Sequence, residues 1–155
     1  MSSLGVVDVT TGSYGWVEIF GLVAPPSGTG KTVTAVVTKS GEAYGVSIGY
    51  AASYLGVGSF GSPVAGDTLG SSGTSLSQTI SSTQTTQLIA HAFGGYAAAG
   101  TITYSTPAAG DGTAAAGTFG HIAMAHQTGN GGSRSFVASN SASVNYGGVA
   151  VRLQP

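Results

Sequence analysis

The chain has 155 residues, of which only four are basic and five acidic, and it contains 27 glycines and no cysteine. This length fits one domain over residues 1–155, and the net charge of −1 provides no attraction to nucleic acid or to an anionic membrane. The lack of cysteine excludes a disulfide framework and a thiolate metal site, and no run of about eighteen apolar residues predicts a membrane span.

The first element is the apolar stretch Leu4–Thr10, which predicts a short strand or an extended N-terminal arm. Tyr14–Lys39 then predicts a hairpin, with one strand at Trp16–Val23 and a second strand at Lys31–Thr38. Both faces of the first strand carry apolar residues. This pattern is typical of a central strand that is covered on two sides.

The hairpin loop contains Ser27-Gly-Thr-Gly-Lys-Thr32, which resembles a phosphate-binding loop. Such a loop needs a glycine separated by four residues from Gly-Lys-Thr, and this chain has Pro25 there, which has no N–H to offer a phosphate. A phosphate-binding loop must also open into a helix. Val33–Thr38 is instead mostly β-branched and follows the two-residue period of a strand, so the sequence predicts no nucleotide site.

The segments that follow alternate apolar residues with small or polar ones, and they predict further short strands. Tyr44–Tyr50 is the first, and an irregular connection over Ala51–Asp67 follows it. The remaining predicted strands are an edge strand at Thr74–Ser81, a buried strand at Gln87–Phe93, and strands at Thr101–Ser105, Thr118–His126, Arg134–Ser139 and Gly148–Leu153.

Two alanine-rich stretches, Ala97–Thr101 and Ala114–Thr118, interrupt this series. Glycines at Gly95, Gly100 and Gly117 leave no helical window longer than about one turn, so these stretches are predicted to be loops. About eight to ten short strands result, separated by Gly, Ser, Pro and Asn clusters and without an amphipathic helix. The sequence therefore predicts an all-β, antiparallel β-sandwich of jelly-roll type.

Residues that could carry chemistry are few and scattered. Glu18, Asp67 and Asp111 would be the candidates for a glycosidase pair, but no spacing brings two carboxylates onto one strand face. His121 and His126 are an odd number of residues apart on one strand, so they face opposite sides and cannot ligate the same metal. We predict no catalytic, cofactor-binding or metal-binding residue, and no enzyme activity.

Histidine and aromatic residues are expected mainly in the core. His91 lies in an apolar strand, which predicts a hydrogen-bonded core or interface histidine. A group of aromatic residues close together in the sequence would also suit a carbohydrate-binding platform: Tyr14, Trp16, Tyr44, Tyr50 and Tyr54. Because Trp16, Tyr44 and Tyr50 share strand faces with aliphatic residues, we expect them in the core, with the sugar platform as the alternative.

Three regions of the chain resemble the small β-sandwich virion proteins of tailed phages that infect actinobacteria. They are the Trp-bearing strand, Pro-Pro-Ser-Gly-Thr turn and Thr/Val-rich strand of Trp16–Thr38, the apolar segment Ser47–Val64, and the final strand Val149–Leu153. The resemblance spans most of the chain, from Trp16 to Leu153, and implies a non-enzymatic structural role, as a head decoration or capsid-stabilising protein. The alternative is a minor tail or tail-tip protein that binds a glycan or the host surface. No site residues carry over, because these proteins share no catalytic motif.

The low charge also favours assembly, because a surface of Ser, Thr, Gly and Ala is weakly hydrated and suits permanent burial among many copies. We expect a homotrimer, and the number of three subunits is what the resemblance implies. The expected partners are the major capsid protein or other virion proteins. The start of the chain lacks a secretion signal, which predicts assembly in the host cytoplasm and a location in the virion. The arm, residues 1–10, is predicted to reach a neighbour through Leu4, Val6, Val7 and Val9.

Overall fold

A computed structural model describes residues 1–9, 15–24, 32–34, 48–67, 73–96 and 100–155. Within these residues all regular structure is antiparallel β-strand and no helix is present, which confirms the predicted all-β class. The jelly-roll connectivity stays a prediction. The ten strands of the described chain are β1 (Ser2–Asp8), β2 (Trp16–Gly21), β3 (Ser59–Phe60), β4 (Val64–Asp67), β5 (Gly73–Ile80), β6 (Leu88–Tyr96), β7 (Ile102–Tyr104), β8 (Ala109–Ala116), β9 (Gly120–Thr128) and β10 (Arg134–Gln154).

The central sheet is built around the second half of β10. This half pairs with β6 on one side and with β3 and β4 on the other, and β9 and then β8 follow β6 outward. In β6, Ile89 and Phe93 face one core, whereas Ala90 and Ala92 face another. Both faces of the strand are therefore covered, which explains its continuous apolar sequence and confirms the predicted buried strand at Gln87–Phe93.

The second sheet forms from the first half of β10, which pairs with β5 and β7. The sequence predicts two separate strands over this region, but the structure has one continuous strand, because Asn140 still pairs with Ile102 and Asn145 already pairs with Tyr96. The strand β10 thus passes from one sheet into the other and joins the two halves of a sandwich. Large buried side chains fill the space between these sheets: Leu76, Ile80, Ile89, Phe93 and Phe136.

A third layer, the two-stranded sheet of β1 and β2, covers the other face of the central sheet. The two-stranded sheet can approach the central sheet closely because two glycines of the central sheet lie beneath it. A Cβ at Gly94 would lie 3.1 Å from the Cβ of Val17, and one at Gly147 would lie 2.9 Å from a methyl group of Val7. Buried aliphatic side chains from both sheets fill this second core: Val7, Val9, Val17, Ile19, Val149, Val151 and Leu153.

The strand β2 pairs with β1, whereas the sequence predicts a hairpin between Trp16–Val23 and Lys31–Thr38. Thr32–Thr34 form no strand, and the rest of that second segment and the loop at 25–31 lie outside the described residues. Ile48–Tyr50 also form no strand, and the earlier part of the predicted strand Tyr44–Tyr50 lies outside the description. Local alternation identified β2 as a strand but did not specify its partner.

Two segments that were expected to be irregular contain strands. Ala114–Thr118 is predicted to be a loop, yet residues 114–116 belong to β8, whose ladder pairs Gly112 with Met124 and Ala114 with Ile122. Pairing with β9 supplies the hydrogen bonds that offset the weak strand propensity of these residues. The connection Ala51–Asp67 likewise contains the short strands β3 and β4, both paired with β10.

Candidate functional site

The sheet of β1 and β2 has one buried face and one face directed away from the protein. Side chains alternate along each strand, so Val7, Val17 and Ile19 enter the core, and their neighbours in sequence point outward. The register confirms that the outward residues share one surface, since Asp8 pairs with Trp16 and Val6 pairs with Glu18. We call this surface the outer face, and its residues are Ser3, Val6, Asp8, Trp16, Glu18 and Phe20.

The outer face exposes large apolar side chains next to one another. Relative exposure is 53% for Val6, 46% for Trp16 and 50% for Phe20, and Leu22, just beyond β2, is 46% exposed. Isolated exposed hydrophobic residues are common in proteins, but a contiguous group on a rigid sheet marks an interaction site. The outer face is therefore the candidate functional site.

The charges of the outer face are exclusively acidic. Asp8 and Glu18 are diagonal neighbours across the ladder, a relationship that places their Cα atoms about 7 to 8 Å apart. Neither carboxylate forms an ion pair with a described residue. The described arginines lie elsewhere: Arg134 donates from Nε to the carbonyl of Thr128 at 2.8 Å, and Arg152 donates from an Nη atom to the carbonyl of Ser81 at 2.7 Å.

The predicted assembly residues fall on both faces of β1. Val7 and Val9 are buried in the chain's own core, and Leu4 packs partly against it, whereas Val6 is exposed. Of the two alternatives predicted for this stretch, a short strand or an extended arm, the structure shows a strand, because β1 pairs along its length with β2. Of the four residues, only Val6 has an exposed side chain that a neighbouring molecule could contact. The assembly contact itself stays a prediction.

The prediction that Trp16 and Tyr50 lie in the core is also wrong. Trp16 lies on the outer face, because β2 belongs to a two-stranded sheet that is covered on one side only within the described residues. Tyr50 is 38% exposed, with its ring against Gly112 of β8. Tyr14 and Tyr44 lie outside the described residues.

A second group of polar side chains lies where residues 48–58 cross over β8 and β9. Asp111 accepts a hydrogen bond from the Tyr54 hydroxyl at 2.6 Å and another from Nδ1 of His126 at 2.7 Å. The Tyr50 hydroxyl donates to the backbone carbonyl of Asp111. The ladder between β8 and β9 shifts register between Gly110 and Gly112, and this bulge leaves Asp111 opposite no residue and turns it toward His126.

This arrangement indicates which atoms donate and which accept hydrogen bonds. Asp111 holds the proton of His126 on Nδ1, which leaves Nε2 without a hydrogen-bond partner among the described residues. Burial, and secondly the hydrogen bond to Asp111, raise the pKa of Tyr54 well above its usual range, so its hydroxyl stays a donor. Among the described residues, no Ser or Thr hydroxyl that could act as a nucleophile is hydrogen-bonded to His126. The group therefore fastens residues 48–58 to the sheet.

The predicted placement of the three histidines is confirmed. His91 is fully buried and hydrogen-bonded on both ring nitrogens. His121 is buried on one face of β9 and His126 is partly exposed on the other. No cluster of three potential metal-ligating His, Cys, Asp or Glu residues occurs in the described part of the chain, and no helix there is long and apolar enough to cross a membrane.

Sequence reasoning missed the pair of Asp111 and His126. The sequence predicts no strand over residues 109–116, so a contact between residues 15 positions apart on the paired strands β8 and β9 was not expected. A bulge at the Gly110-Asp-Gly112 stretch would have been the cue.

Comparison of the chain with protein-family models, with curated proteins and with solved structures finds no match.

Proposed function

We propose that this protein is a non-enzymatic structural component of a tailed-phage virion, a head decoration protein that stabilises the capsid as a homotrimer. The observation that carries the proposal is the outer face, where Val6, Trp16 and Phe20 are exposed side by side on a sheet fixed to the core. Such a surface is costly to leave in water and is stabilised when a partner covers it. The major capsid protein or another virion protein is the proposed partner.

The composition of the chain supports permanent assembly. With only nine charged residues, four basic and five acidic, the protein has little charge to keep separate molecules apart in solution. Small side chains can pack closely against a shell without desolvating many ions, and weak contacts add up over repeated copies. These properties suit a protein that stays permanently bound to a symmetric particle.

The second candidate is a minor tail or tail-tip protein that binds a glycan on the host surface. The exposed rings of Trp16 and Tyr50 favour this alternative, since exposed aromatic rings can lie against the apolar faces of sugars. A glycan-array signal that disappears in Trp16→Ala while far-UV circular dichroism stays unchanged would support it over the head protein.

The number of copies in purified particles tests the proposal. Quantitative mass spectrometry should find hundreds of copies for a head decoration protein, whereas a tail-tip protein would be present in a handful. Absence from purified particles would contradict a virion role in either position. In the same particles, Trp16→Ala should lower occupancy, and Val137→Ala, an exposed apolar residue on β10, should serve as the unaffected control.

A further inference from the structure

We infer that the outer face receives an arginine side chain from a different virion protein, which lies against Trp16 and pairs with Glu18. This inference rests on the proposed function and adds to it the chemistry of the partner surface, namely an apolar patch that carries a basic residue. It follows from the way the outer face combines aromatic rings with carboxylates that form no ion pair to a described residue.

The spacing along β2 places Glu18 between two aromatic residues. Trp16, Glu18 and Phe20 are alternate residues of one strand, so their Cα atoms follow one another at about 7 Å on the same face. A guanidinium over the Trp16 ring would gain a cation–π contact while reaching the Glu18 carboxylate with two parallel N–H donors. Arginine fits this combination better than lysine because its planar guanidinium can stack on the Trp16 ring and form a bidentate pair with Glu18 at the same time.

Charge complementarity determines the sign of the partner. Two of the five acidic residues of the chain, Asp8 and Glu18, lie on this small surface. Their diagonal arrangement is mildly repulsive, and no described cation offsets it, since Arg134 and Arg152 donate to backbone carbonyls elsewhere. A basic side chain from outside the described residues would relieve this repulsion on binding.

The same charges disfavour a second copy as the occupant. If two outer faces met across a twofold axis, each would present Asp8 and Glu18 to the same acidic surface on its partner. Like charges brought together at an interface oppose association, and a symmetric contact between outer faces adds no basic residue from the described part of the chain. A twofold contact between two outer faces is therefore disfavoured, and the outer face is assigned to a different protein.

Particles prepared without this protein and then incubated with purified protein provide the test. The measured quantities are the apparent Kd for the particle and its dependence on salt. Glu18→Gln should raise the Kd about tenfold and weaken the salt dependence, because it removes one charge-assisted contact and keeps the shape. Glu18→Arg should abolish binding at the same protein concentrations. Ser77→Arg introduces an arginine on the exposed side of β5 and should bind as the original does.

Three results would overturn the inference. If Glu18→Gln binds like the original while Trp16→Ala does not, the contact is apolar only, and the proposed function stands without an arginine. If Glu18→Gln or Trp16→Ala changes the oligomeric state in analytical ultracentrifugation, a second copy occupies the face. If Lys31→Ala or Lys39→Ala reproduces the loss seen in Glu18→Gln, the cation comes from this chain. Failure of the original protein both to bind and to occur in natural particles would instead contradict the proposed function itself.

Discussion

The hydroxyl of Tyr104 lies 2.9 Å from Nδ1 of His91, and this contact joins the two sheets of the sandwich inside the core. On the other side of the ring, Nε2 lies 2.7 Å from Oε1 of Gln78, whose amide nitrogen donates to the carbonyl of Val64 at 2.9 Å. With this amide orientation, Nε2–H is the donor to Gln78 and bare Nδ1 accepts from Tyr104. The network therefore fits a neutral imidazole.

The first prediction is a loss of stability in mild acid. Burial lowers the pKa of His91 from 6.5 to about 3. Between these values the unfolded chain binds a proton that the folded chain does not, so folding is progressively disfavoured as the pH falls through this window. The contribution of His91 is about 1.4 kcal/mol per pH unit.

Urea denaturation between pH 7 and pH 4 measures this effect. His91→Gln should be less stable than the original at pH 7, and the difference should shrink as the pH falls, because the variant lacks the titrating group. Parallel curves for the two proteins would show that His91 does not carry the acid sensitivity.

The second prediction concerns the large side chain that stacks on His91. The ring of Phe136 is fully buried, with its centroid 4.4 Å from that of His91. Phe136→Ala should lower the free energy of unfolding by about 3 to 5 kcal/mol, through lost burial and the cavity left behind. The adjacent Val137, 39% exposed on the other face of β10, is the matched control, and Val137→Ala should change stability by less than about 0.5 kcal/mol. Similar losses in both variants would contradict the assignment of faces.

The third prediction compares two glycines. A Cβ at buried Gly148 would lie 2.9 Å from a ring carbon of Phe93 and 2.5 Å from Oε1 of Gln78. Both neighbours are held by the packed core, so Gly148→Ala should destabilise the protein by about 1 to 3 kcal/mol in thermal or urea unfolding. Gly110 has no atom within 4 Å of the corresponding position, and Gly110→Ala should be nearly neutral. An equally stable Gly148→Ala would argue against this close contact.

The fourth prediction is local. Removing the carboxylate in Asp111→Ala leaves Tyr54 and His126 without their shared acceptor, so residues 48–58 should separate more often from the sheet. Hydrogen exchange followed by mass spectrometry should show about tenfold faster exchange in that segment and little change in β6. Asp8→Ala, which removes an exposed carboxylate, is the control. Unchanged exchange in Asp111→Ala would mean that apolar packing alone holds the segment.

Alternation in the sequence was sufficient to predict β5, β6, β7 and β9 and the buried place of His91. Each of these features depends on neighbours within one strand, where the two-residue period separates the faces. The opposite orientation of His121 and His126 followed from the same period. The Pro25 position was likewise sufficient to argue against a phosphate-binding loop, although that loop lies outside the described residues.

Only the tertiary structure decided which faces are covered and which strands are partners. The pattern of β2 shows that Trp16 and Phe20 share a face. The same apolar pattern occurs on faces that a second layer covers and on faces exposed to water, so the sequence does not distinguish the two cases. The strand β8 exists because β9 pairs with it, and the bond between Asp111 and His126 exists because of a bulge in that pairing. Pairing and coverage join residues distant in the chain, and a period of two residues contains no information about such contacts.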